Sequence, residues 1–472
     1  MKSKLTLLAL LCISFGCAQR AEAKVFDAQS QLLDNGLQIV VIPNHRAPLT
    51  HIMVWYKIGS SQETPGTSGS AHFLEHLMFK GTKSTAPGSY SRKIRAMGGE
   101  DNAFTSNDYT AYYATVPKEN MRAVLALEAD RMVNLAPPAE DVMSERDVVL
   151  EERRMRTDSN PSARLFEQLQ AALFPSHPYG RPVIGWMGEV SGLQWDQAGS
   201  FYKTWYAPAN AILVISGDTD MDEVLPLAKR LFGGLKNPKG GIPEKTFPVI
   251  PDFQGSELIT LKDKLVNEPA FFRGYRVPSS VQNKKEALAL QLLENILDGG
   301  AASPLYQTLV VKKKLAVSAS LSYDGDNADE GAMWVSVVPQ EGVSFERISE
   351  AVNALFADMI QNGVKQEDLN ESKARLKNAA IFARDSLGAP ASVIGQALAT
   401  GSTLDDVENW PEDIDSVTAE QIQDVAKAYL NTQNGMEKTQ FVTGYLQMPD
   451  GVRRASGQGP ATIPSIDGGH VR

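Results

Sequence analysis

The chain has 472 residues, 43% hydrophobic and 22% charged, the profile of a water-soluble globular protein with length for two or more domains. A formal charge of −10 excludes nucleic acid or an anionic membrane surface as the main partner. The only cysteines are Cys12 and Cys17, so a chain trimmed beyond them has no disulfide and no thiolate metal site.

Residues 1–23 carry Lys2 and Lys4, an apolar run from Leu5 to Phe15, and Ala21-Glu22-Ala23. This pattern predicts a secretory signal peptide cleaved after Ala23 and a periplasmic product. The run is too short to span a bilayer comfortably, so no membrane span is expected after cleavage. The alternative is a lipoprotein anchored at Cys17, but Ser14-Phe15-Gly16 is a poor lipid-attachment box.

Strand-like runs follow at 37–43 and 50–59, then a helix carrying "SAHFLEHLMF". A strand pair is expected around 102–116, long helices over roughly 118–170 and 195–206, and a last strand at 210–218. The segment 235–255, with Pro238, Gly240, Gly241, Pro243, Pro248 and Pro251, reads as a linker. The same rhythm then repeats: strands at 257–262 and 270–278, a helix at 284–300, strands at 316–324 and 332–339, long helices to about 430, and a strand at 438–446. Strand runs followed by helix runs indicate α+β, used twice. The expected divisions are a signal peptide (1–23), an N-terminal domain (24–234), a linker (235–255), a C-terminal domain (256–448) and a polar, Gly/Pro-rich tail (449–472). With Gly81 set against Gly299, His72 falls on Leu290, Glu75 on Leu293 and His76 on Glu294, so the second half reads as a copy without the polar constellation.

That constellation is the informative feature. Positions four apart share a helical face, so His72 and His76 can offer both imidazoles to one metal ion, with Glu75 bordering the same face. Zinc takes imidazole nitrogen readily, and a catalytic site needs three protein ligands. The H-x-x-E-H order is the inverted form of H-E-x-x-H, in which the glutamate is the base. A five-residue match can also arise by chance, so a third ligand is needed. In "SERDVVLEERRMR" (144–156), Glu145 and Glu152 lie seven apart on one helical face, beside valines where an unpaired carboxylate is costly. Glu152 can be that third ligand, leaving Glu145 to hold an imidazole N–H. Glu151 is expected to be solvated. His177 in "HPYGRP" could be read as a fourth ligand, while His45, His51 and His470 have no partner spacing.

"GSAHFLEHLMFKGT" (69–82), Glu152 in "ERDVVLEE", "GGEDNAFTSNDYTAYY" (98–113), "HPYGRPVIG" (177–185) and "WYAPANAILVISGD" (205–218) together resemble the pitrilysin/insulinase family of inverted-motif zinc metallopeptidases. The likeness is nearest to the metal-bearing subunit of its bacterial two-subunit branch, and covers roughly residues 30–445. It implies two homologous α/β-sandwich domains, each an antiparallel sheet with helices packed on it, forming a clam-like pair with one Zn²⁺ in the first only. It implies His72, His76 and Glu152 as ligands, Glu75 as base, and a metalloendopeptidase acting on unstructured peptides or small proteins. It further implies a substrate-pairing edge at Asn102, Ala103, Phe104 and Thr105, and a structural turn at His177. Ser70 departs from the family, which usually has a larger apolar residue there.

The family's metal-free half carries an Arg and, seven residues later, a Tyr that reach the substrate. Here those positions fall on Val310 and Val317, and Lys312, Lys313 and Lys314 read as a solvated face. The resemblance therefore implies a heterodimer with a homologous subunit supplying that pair, otherwise a homodimer. Two alternatives remain: a non-catalytic scaffold or binding member of the family, and a zinc hydrolase of another class such as an amidase.

Overall fold

The apolar runs pair into two sheets of one design. The computed structural model describes residues 24–250, 255–431 and 440–449. The expected signal peptide, residues 251–254 of the linker, His470 and the tail from 450 onward lie outside the described residues. The first sheet comprises β1 (Gln29–Leu32), β2 (Gln38–Pro43), β3 (Leu49–Tyr56), β4 (Glu100–Thr105), β5 (Thr110–Pro117) and β6 (Ala211–Gly217). Its order is β1-β2-β6-β3-β5-β4. The second comprises β7 (Gly255–Lys262), β8 (Ala270–Pro278), β9 (Ala316–Asp324), β10 (Glu330–Pro339) and β11 (Gln440–Gln447), ordered β7-β11-β8-β10-β9. Leaving out β1, the two orders superimpose strand for strand.

The sheets are mixed rather than wholly antiparallel. β2 runs parallel to β6 and β7 parallel to β11, at matching places, while all other pairings are antiparallel. In each half the closing strand returns after the helices and inserts between the half's first two long strands, which forces the parallel pair. β1 was not expected: its QSQL sequence is mostly exposed and lacks an apolar alternation.

Five helices position the rest: α1 (Ser70–Leu77), α2 (Ala139–Arg153), α3 (Pro161–Leu173), α4 (Lys284–Asp298) and α5 (Ala389–Thr400). The long helices expected over roughly 118–170 are three, with breaks between them. The helix Met121–Asn134 ends before Pro137 and Pro138, and a π-helical turn, Arg154–Asp158, separates α2 from α3. No helix among the described residues is long and apolar enough to cross a membrane.

The halves exchange helices. α3, from the first half, lays Leu165, Leu169 and Leu173 on Phe272, Trp334 and Val442 of the second sheet. α5, from the second half, lays Ala391, Ile394 and Leu398 on Val40, Met53, Trp55 and Val214 of the first. Contact there is close enough that a Cβ on Gly395 would lie 2.1 Å from the Trp55 indole nitrogen. Both faces of β3 and β6 are therefore covered, which is why their sequences are apolar almost without interruption. The linker takes part in this junction: Ile250 is buried and Phe247 stacks on His177.

Candidate metal centre

α1 is fixed by its N-terminus. Gly69, at φ +89°, precedes it, and a Cβ there would lie 2.7 Å from the Ile184 carbonyl oxygen, so the position requires glycine. The buried Glu63 carboxyl group accepts the N–H groups of Gly69 (3.0 Å) and Ala71 (2.8 Å), satisfying donors that the helix start leaves unpaired. Burial pushes Glu63 up to about 8, against the pull of those two backbone bonds. Sequence reading missed Glu63. Its only signal is an acidic residue in a Gly/Ser/Thr-rich stretch just before the motif helix.

One turn of α1 brings His72 and His76 together, with ring centroids 4.8 Å apart. α2 crosses above them and delivers Glu152. Its Oε2 lies 3.3 Å from His76 Nε2 and 3.7 Å from His72 Nε2. One donor atom from each of His72, His76 and Glu152 lies within 4.8 Å of the others, and no other such group of three occurs among the described residues. Donors bonded at about 2.0–2.1 Å around one tetrahedral ion sit about 3.3 Å apart, so two imidazoles and a carboxylate at these spacings fit Zn²⁺.

The neighbours tune each donor. Burial, then the nearby His76, pull His72 down to about 3, so its imidazole is neutral, and its buried Nδ1 has no hydrogen-bond partner. For His76, burial pulls down but the carboxylates of Glu145 and Glu152 outweigh it and hold the ring up at about 9. Glu145 Oε1 meets His76 Nδ1 at 2.9 Å, and its other oxygen pairs with Lys80. Glu145 thus bridges the His76 ring and Lys80. Burial acts to raise Glu152, but the His76 bond and the charges of His72, Arg156 and His76 bring it down to about 2.

Glu75 sits beside this trio. Burial raises its carboxyl, while the Thr105 hydroxyl, donating to Oε2 at 2.5 Å, and the His76 charge pull the other way. Thr105 ends β4, the edge strand of the first sheet and one of the elements against which α1 packs. Of the four residues expected at a substrate edge, Asn102 folds its side-chain oxygen onto the Ala103 N–H at 2.9 Å. Phe104 packs on Trp55 and Tyr109 near the inter-half core. Thr105 is engaged with Glu75.

The remaining candidates lie elsewhere. Glu151 is exposed and pairs with Arg154. His177 accepts the Tyr179 N–H and meets Asp329 of the second half at 3.0 Å. His45 pairs with Asp218, and His51 is buried against Thr115 and Tyr113. Leu290 and Leu293 on α4, the counterparts of His72 and Glu75, are fully buried among apolar side chains. Val310 packs at the second core, Val317 is half exposed, and Lys312, Lys313 and Lys314 are exposed.

Residues 38–186 match the family described as Insulinase (Peptidase family M16), and residues 193–376 match the Peptidase M16 inactive domain. A zinc protease of Mycobacterium leprae is 31% identical over 89% of this chain and 93% of its own length. Zinc protease PqqE of Helicobacter pylori is 31% identical over 80% of this chain and 84% of its own. The crystal structure of a protease from Helicobacter pylori, 29% identical, superimposes with a TM-score of 0.81 over 90% of this chain and 100% of that one. With two similar halves in a clam-like pair and the inverted histidine motif in the first, the chain belongs to the pitrilysin/insulinase-type peptidase family, family M16.

Proposed function

We propose that the protein is a zinc metalloendopeptidase that cleaves extended peptides or unstructured small proteins. The observation that carries this reading is the convergence of His72, His76 and Glu152 beside the buried Glu75. Zinc bound there would supply Lewis acidity to the scissile carbonyl and acidify a water molecule. His72, His76 and Glu152 would hold it, and Glu145, steadied by Lys80, keeps the His76 ring turned towards it. Glu75 takes the proton of the attacking water and passes it to the leaving amine, with Thr105 fixing its carboxylate. The free edge of β4 can pair with an extended substrate through main-chain bonds, which demands little of its sequence. Glu75→Gln keeps the shape but not the base. It should retain zinc and lose peptide hydrolysis by about 10²–10⁴-fold. Turnover near that of the unaltered protein would remove Glu75 from the mechanism.

The second half offers neither an Arg nor a Tyr at Val310 and Val317, and valine can neither donate a hydrogen bond nor carry charge. This supports a heterodimer in which a homologous subunit supplies that pair. Low turnover by the zinc-loaded chain alone, restored by the partner, is the expected result; high turnover alone defeats the assignment. The leader sequence supports export and cleavage after Ala23. The secreted protein should then begin at Lys24, whereas a lipid-modified Cys17 as first residue would favour the anchored form.

A further inference from the structure

Three arginines close the α2 region, and each has its own acid. Arg153 is buried and makes a two-point pair with Glu167 while also donating to the Gly185 carbonyl. Arg154 is exposed and pairs with the exposed Glu151. Arg156 differs from both: its side chain is 74% exposed, yet its acid is Glu152, whose side chain is only 14% exposed and lies in the donor trio. Nη1 of Arg156 meets Glu152 Oε1 at 2.8 Å, while Oε2 of the same carboxylate faces His76 and His72.

The backbone explains how an exposed arginine reaches inward. α2 does not continue as an α-helix but widens into the π-helical turn Arg154–Asp158, closed by the Ser159 N–H on the Arg154 carbonyl at 2.9 Å. Such turns change which side chains share a face and recur at functional sites. Here the turn sends Arg154 to solvent and leaves Arg156 one turn from Glu152.

We infer that Arg156 is a positioning residue for the metal centre: its guanidinium holds one oxygen of Glu152 and so presents the other, singly, to the two histidines. A carboxylate with both oxygens free can rotate or offer both to an ion; one oxygen tied to a rigid fork cannot. The inference rests on the reading of His72, His76 and Glu152 as zinc ligands.

The test is the zinc dissociation constant of the full-length mature protein, measured by competition with a chromophoric chelator. Arg156→Gln should weaken zinc binding about tenfold, the scale on which groups supporting metal ligands act. Arg156→Lys, which keeps a cation within reach, should recover most of the loss. Arg154→Gln removes the same charge two residues away and should leave zinc affinity unchanged. Because Arg156 is exposed, the thermal midpoint of the metal-free protein should move little in any of the three, far less than a tenfold loss of zinc affinity would imply. Equal affinities in Arg156→Gln and Arg154→Gln overturn the inference while leaving the ligand assignment standing. An unaltered protein that binds no zinc overturns both.

Discussion

α1 and α4 lie in corresponding places: each follows its half's leading strands and packs on an edge strand, α1 against β4 and α4 against β9. α1 turns His72, Glu75 and His76 towards α2 and β4; α4 places Leu290 and Leu293 in a core of leucine, isoleucine and phenylalanine. The first arrangement draws on outside partners at most points. Glu63 serves the helix end, Glu145 and Lys80 serve His76, Thr105 serves Glu75, and Arg156 serves Glu152. At Leu290 and Leu293 the second needs none, because leucine has no polar atom to satisfy. In the first half the loop before α1, the edge strand and α2 all contribute polar partners to the donor cluster. α1 is also shorter, 8 residues against 15.

The strongest way to break the contrast is to make the first half like the second. His72→Leu with His76→Leu leaves Glu152 as the sole donor of the trio, and zinc retention should vanish. Metal analysis of the purified double variant decides it: stoichiometric zinc would mean that the ion lies elsewhere. The reverse comparison is nearly as large but purely structural. Leu293→Ala opens a cavity in the second core and should cost about 2–5 kcal/mol of stability in urea unfolding. Its zinc content should match the unaltered protein. Loss of zinc there would show that the second half does more than pack.

Much of this contrast was readable from residue order. The motif spacing located α1, the seven-residue interval located Glu145 and Glu152 on one face, and the repeated rhythm located two similar halves. The missing parts have physical reasons. β1 is a polar edge strand, and only its pairing with β2 makes it a strand. The parallel pairs and the exchange of α3 and α5 depend on contacts between residues far apart in the chain, and an amphipathic helix does not announce which sheet it will cover. Glu63 and Arg156 serve the site through a loop and a π-helical turn, where no periodicity marks them. The resemblance places Thr105 at a substrate edge; that its hydroxyl also meets Glu75 is a contact that no periodicity marks.

Thr105 sharpens the comparison at the base. A hydrogen bond to a charged carboxylate contributes about 1.5–3 kcal/mol. Thr105→Val keeps the shape and removes the hydroxyl, so kcat should fall by roughly tenfold or more, with KM and zinc content unchanged. Thr105→Ser should restore most of it. A change confined to KM would mean that Thr105 acts only at the substrate edge and leave Glu75 positioned by its burial alone.

The smallest effect concerns protons, and it separates the two histidines of α1 from each other. Metal ligands must be deprotonated, so zinc uptake releases whatever protons they carry. At pH 7 His72, held down near 3, is already neutral, and Glu152, near 2, is already ionised. His76, held up at about 9, carries its proton in the metal-free protein. Zinc uptake at pH 7 should therefore release about one proton, and zinc affinity should rise with pH until about 9. The stability of the metal-free protein follows the same groups with opposite signs. The His76 contribution is full below its ordinary 6.5 and is lost as pH rises through about 9. The Glu152 contribution is present above its ordinary 4.5 and is lost as pH falls through about 2. His72, held down near 3, costs stability as pH falls below its ordinary 6.5, so the three groups together support the metal-free form best near pH 6.5, below the pH at which zinc binds most tightly. Calorimetric titration of zinc in buffers of differing ionisation enthalpy counts the protons directly. Release of none at pH 7 would mean that His76 is neutral despite Glu145 and Glu152, and Glu145→Gln should then leave the proton count unchanged rather than lower it.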